Sequence, residues 1–98
     1  MTPLDQLSAE DFEPLVGQSL AVAFPGGTLD CEVAHLKRLP PHTLRVHPPF
    51  ALLLRGARNQ PLAQGIYELQ HPLHGRLNVF MVPIGPNGTG LGYEITFN

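Results

Sequence analysis

Hydrophobic and polar positions alternate most regularly in the last third of the chain. Leu91, Tyr93, Ile95 and Phe97 are interleaved with Gly92, Glu94 and Thr96. A period of two places the four large side chains on one face of a strand over Leu91–Phe97. Upstream, Tyr67 and Leu69 share one face of a strand predicted over Gly65–His71, with Glu68 and Gln70 on the other. Between them, Arg76–Pro83 is apolar on both faces, with Leu77, Val79 and Met81 on one and Phe80 and Val82 on the other. A strand buried on both sides has this pattern, and so does a strand with one face in an interface. Proline at 72 and glycine at 75 set a tight reversal over Pro72–Gly75, and a loop rich in glycine, proline and asparagine leads into the last strand.

The N-terminal half follows the same logic. Ser8-Ala9-Glu10-Asp11 is a capping-box pattern, with Leu7 and Phe12 spaced for a hydrophobic staple. Pro14 limits this helix to one or two turns, and its expected role is to plug one end of a β structure with Phe12, Leu15 and Val16. Gln18–Phe24 reads as a strand with Leu20, Val22 and Phe24 inward. After the turn Pro25-Gly26-Gly27, Leu29, Cys31 and Val33 alternate with Asp30 and Glu32. The apolar phase then moves to Ala34 and Leu36, which predicts a β-bulge near Ala34–His35. The proline-rich run 38–48 is a loop that holds at most a short extended piece, Thr43–Val46. In Phe50–Arg55, Phe50, Leu52 and Leu54 face one way and Ala51 and Leu53 the other. Six short strands and one short N-terminal helix predict an all-β fold, a small antiparallel barrel, partly open, or a sandwich.

Composition narrows the class. Ninety-eight residues, 43% of them hydrophobic, are enough for one small β domain over residues 1–98. Only 14% are charged, low against the usual quarter, so the surface is suited to bear an interface. A net charge of −2 with scattered arginines argues against nucleic acid as a partner. The single Cys31 makes no intrachain disulfide, and no leader-like N-terminus or membrane-length apolar run is present. The expectation is a cytoplasmic protein without a membrane partner.

Three stretches also resemble a family of short bacterial proteins of unknown function. They are Pro49-Phe50-Ala51-Leu52-Leu53-Leu54-Arg55-Gly56, the run from Gln64 to Pro86, and Gly92 to Asn98. The opening Glu10-Asp11-Phe12-Glu13-Pro14-Leu15-Val16-Gly17 is similar to that family's usual start. The resemblance implies a stand-alone domain, found near phage-tail-like fibre proteins, with no assigned activity and no catalytic residue to transfer.

The residues themselves offer few candidates for chemistry. His71 and His74 share a turn and are the best metal candidates, with Cys31 or His42 as possible completions, but H-P-L-H spacing specifies no site. Cys31 lies in the apolar phase of its strand, where cysteines are inert packing residues. Ser8 and Ser19 lie in no nucleophile motif. The glycine-rich 86–92 has neither the lysine nor the helix of a phosphate loop. Asp30, Glu32, Glu68 and Glu94 fall on polar faces, and Arg55 is placed to pair with Glu94 or Glu68 across strands.

Leu53, Ile66, Phe80 and Val82 fall opposite the main alternation. They form either a second core layer or an apolar patch for a protein partner or a second copy, as in a homodimer. The last strand also offers an edge for strand addition. The function expected is therefore a non-enzymatic interaction or accessory domain without a cofactor. The alternative is a small-molecule-binding barrel with Arg55, Tyr67 and Tyr93 at one mouth, and behind it a histidine metal-site protein.

Overall fold

The computed structural model describes residues 6–40 and 48–97 and is a closed antiparallel barrel. Its strands are β1 (Ser19–Phe24), β2 (Gly27–Arg38), β3 (Phe50–Gly56), β4 (Gly65–His71), β5 (Gly75–Asn87) and β6 (Gly90–Phe97). The order around the barrel is β1-β2-β3-β6-β5-β4. Two three-stranded meanders thus meet along β3–β6 and along β1–β4. The first seam is long, seven pairs from Phe50↔Phe97 to Gly56↔Leu91. The second is two pairs, Val22↔Leu69 and Ala23↔Glu68. That short seam closes a barrel for which the chain pattern alone allowed an open form or a sandwich. The expected extended piece Thr43–Val46 and the metal candidate His42 lie outside the described residues.

Local chemistry explains the connections. Phe24 pairs with Gly27 across Pro25-Gly26. The β4–β5 reversal holds Pro72, Leu73 and His74 between the pair His71↔Gly75. Gly75 has φ +70°, the left-handed residue that a three-residue hairpin loop requires. The predicted β2 bulge is present between Val33 and His35. β5 is longer than its pattern suggested, because the expected loop after Pro83 is mostly strand. A second register shift between Pro83 and Gly85 preserves pairing with β6 as far as Asn87↔Gly90. β4 leaves β5 at Met81, so Pro83 and Pro86 sit where one side of β5 has no neighbouring β4 residue and their missing N–H groups are tolerated.

The interior is filled by one face of every strand. Leu20, Val22, Cys31, Val33, Phe50, Leu52, Leu54, Leu69, Leu77, Val79, Met81, Tyr93, Ile95 and Phe97 are all buried. The expected helix is two short 3-10 turns, Ala9–Asp11 and Glu13–Leu15, divided where Pro14 denies an α-helical hydrogen bond. They close one end of the barrel. Phe12 lies 5.7 Å from Phe50 and 5.4 Å from Phe97, ring centre to ring centre, and its full burial contributes roughly 1.5–3 kcal/mol. Leu7 and Leu15 join it, whereas Val16 faces solvent at 43% exposure and is no part of the plug. The other end is closed by the β3–β4 connection. It joins strands on opposite sides of the closed order, and Leu62 from it is buried in the core.

The last strand, expected as a free edge, has no such edge. β6 runs between β3 and β5 and pairs with both.

Candidate functional site

His71 and His74 are held by Asp11, which lies in the first 3-10 turn. Burial alone would push the Asp11 carboxyl up. The Ser8 backbone N–H, the His74 ring and the Ser8 hydroxyl together outweigh it and hold the group below the usual carboxylate range. Its Oδ2 accepts the Ser8 N–H at 2.8 Å and the Ser8 hydroxyl at 3.3 Å. Its Oδ1 lies 2.9 Å from His74 Nε2. The Asp11 carbonyl accepts from His71 Nε2 at 2.7 Å. His71 Nδ1 in turn accepts the N–H groups of Leu73 at 3.0 Å and His74 at 3.2 Å. The His71 ring therefore shapes its own hairpin with one nitrogen and binds the N-terminal plug with the other.

This arrangement is structural. His71 is 4% exposed, and its edge meets Phe12 at 90° with 4.9 Å between ring centres. Both its nitrogens are committed to backbone groups, which leaves no lone pair for a metal. Among the described residues no three His, Cys, Asp or Glu side chains converge on a metal-sized site. The sequence identified the pair of histidines but not Asp11 as their partner, because a capping-box residue gives no sign of a second role sixty positions away.

The three residues expected at a ligand mouth do not meet. Tyr93 is 1% exposed, and its hydroxyl oxygen accepts the Leu62 N–H at 2.9 Å. The Tyr67 hydroxyl donates to the Ala63 carbonyl at 2.6 Å. Both tyrosines thus fasten the segment that covers this end of the barrel. Arg55 follows the alternation to the outer face. Its partners are Glu32, at 2.9 Å from Nη1, and Asn87, at 2.9 Å from Nε. The expected pairing with Glu94 or Glu68 is not formed, because the register sets Arg55 opposite Glu32 and Gly92, and Leu53 opposite Glu94.

Cys31 is fully buried. Burial first, and the Asp30 charge second, push its thiol up to about 11, which leaves almost no thiolate near neutrality.

The outer face of β3, β6, β5 and β4 holds the remaining candidates. Ile66 and Phe80 are cross-strand partners at 72% and 51% exposure. Val82 and Leu53 flank Glu94 from its two sides and are half-buried. Ile84, half exposed, joins this face. The sequence reading missed it because glycines and prolines around it marked a loop, although an isoleucine between Pro83 and Gly85 was a signal. Beside Leu53 lies a cleft of about 140 Å³, lined by His35, Lys37, Ala51, Leu52, Leu53, Ile84 and Glu94.

The profile of a family described as a domain of unknown function, DUF6916, matches residues 7–97. No curated protein and no solved structure matches the chain.

Proposed function

Since the chain belongs to DUF6916, a domain of unknown function, we propose its role from its surface: it is a non-enzymatic interaction module that docks on another protein through the outer face of β3–β6–β5–β4. The exposed Ile66–Phe80 pair carries this reading. An aromatic and a β-branched residue side by side on a strand pair favour contact with each other. Left in water on a chain with only 14% charged residues, they form with Val82, Leu53 and Ile84 the kind of patch that marks an interaction site.

The alternatives have less support. The barrel interior is occupied by side chains, and both of its ends are covered. His71 holds backbone groups and His74 the Asp11 carboxylate. A docking module also suits the phage-tail-like setting that the sequence resemblance implies, with assembly in the cytoplasm.

The test is a photocrosslinking residue, p-benzoylphenylalanine, placed at 80 in the full chain and, as control, at Gln70 on the outer face of β4. In the source cells a discrete protein adduct is expected from position 80 and none from position 70. Equal or absent adducts at the two positions overturn the reading.

A further inference from the structure

The outer face is not uniformly convex. The cleft beside Leu53 is walled by His35 and Lys37 on β2 and by Glu94 on β6, with Ile84 of β5 at its rim and Ala51 and Leu53 of β3 beneath. Its size restricts what enters. Sites for cofactors and drug-sized ligands run to roughly 300–1,000 Å³, whereas about 140 Å³ suits one large apolar side chain. Interfaces characteristically seat such an anchor in a pocket.

The charges on its walls are unspent. Among the described residues, Lys37 and Glu94 are exposed and neither has an ion-pair partner. Sheet geometry fixes their spacing. Lys37 pairs with Ala51, and Ala51 with Thr96, two residues beyond Glu94. Two strand spacings across and two residues along separate the backbones by about 12 Å. In an extended chain, residues i−2 and i+2 point to the same side as residue i and lie about 13 Å apart. The two distances agree.

We propose, building on the docking reading above, that this cleft is an anchor pocket for an extended protein segment. One large apolar side chain at position i enters it, an acidic residue two positions to one side meets Lys37, and a basic residue two positions to the other meets Glu94. The apolar floor holds the anchor, and the opposed charges fix where the segment lies and select against segments of a single sign.

The test titrates the ¹⁵N-labelled full chain with the peptide acetyl-Glu-Gly-Leu-Gly-Lys-amide. Saturable amide shifts are expected at Ala51, Leu53, Ile84 and Glu94. They are expected to vanish when the central leucine is glycine and to weaken at least about fivefold when both ends are lysine. Glu94→Lys, an exposed change, is expected to transfer the preference to the peptide with glutamate at both ends. Absent shifts, or equal shifts for the glycine peptide, overturn the pocket. The same shifts from leucine amide alone make it a small-molecule site, and the same shifts on concentrating the chain by itself make the occupant a second copy. Both results overturn the proposal. Failure of the peptide with a protein adduct still formed at position 80 removes the pocket alone; failure of both removes the docking reading too.

Discussion

The carbonyl oxygen of Asp11 and Nε2 of His71 stand 2.7 Å apart across sixty positions of sequence. Through this contact the N-terminal plug is joined to the β4–β5 hairpin, whose loop the same imidazole shapes from its other nitrogen. One buried ring thus satisfies three backbone groups, and leaving such groups unpaired away from water is costly.

His71→Phe keeps a ring against Phe12 and removes every hydrogen bond. It is expected to destabilise the chain by about 2–4 kcal/mol, read as a lower urea midpoint with an unchanged slope. His71→Asn, which retains a hydrogen-bonding side chain able to cap the loop, is expected to lose less. A larger loss for His71→Asn than for His71→Phe would mean that the ring contributes through packing and not through its hydrogen bonds.

Asp11 gives the fold an acid sensitivity of defined sign. Its carboxyl is held below the usual range in the folded chain, despite burial, by Ser8 and His74. A depressed folded value contributes stability that is fully present above the unfolded value, about 3.9, and is lost as pH falls through the folded one. Thermal melting of wild type and Asp11→Asn between about pH 2 and 5 is expected to give a gap that narrows as pH falls below about 4. A gap that widens on acidification would contradict this assignment.

Tyr93→Phe removes the acceptor of the Leu62 N–H and leaves the ring in place. The expected cost is about 1–3 kcal/mol, that of a buried donor left unpaired. Because the contact fastens the β3–β4 connection, amide exchange within residues 57–64 is expected to quicken more than exchange in β2. Uniform quickening would show that the tyrosine supports the whole barrel and not this segment.

Cys31 is expected to resist alkylation. With its thiol pushed up to about 11 by burial and by Asp30, little thiolate exists at pH 8, and the sulfur is fully covered. Iodoacetamide is expected to modify it at least about a hundredfold faster in denaturing urea than in buffer. Comparable rates would indicate that β2 opens readily.

Much of this architecture was legible along the chain because strand patterns are local. The alternation in Leu91–Phe97 and in Phe50–Leu54 marked the buried face of β6 and β3, and the change of phase after Val33 marked the bulge. The capping box at Ser8–Asp11 marked the start of the plug. Errors arose where local signals have more than one outcome. Glycines and prolines over 83–90 resemble a loop whether or not a partner strand supports them, and here β6 does. The Arg55 partner was misassigned because register depends on which strands are neighbours, and period two alone leaves that open.

The sequence by itself determined the strands, the inward faces and the apolar row Leu53, Ile66, Phe80 and Val82, since side-chain direction in a strand follows from the period of two. Only the tertiary structure decided that β6 lies between β3 and β5. It alone closed the barrel with two pairs between β1 and β4, turned Tyr67 and Tyr93 into fastenings of a covered end, and set Lys37 and Glu94 on opposite walls of one cleft. The physical reason is that these relations join residues far apart in the chain. They follow from the closure of a whole sheet upon itself, which no short stretch of residues can specify.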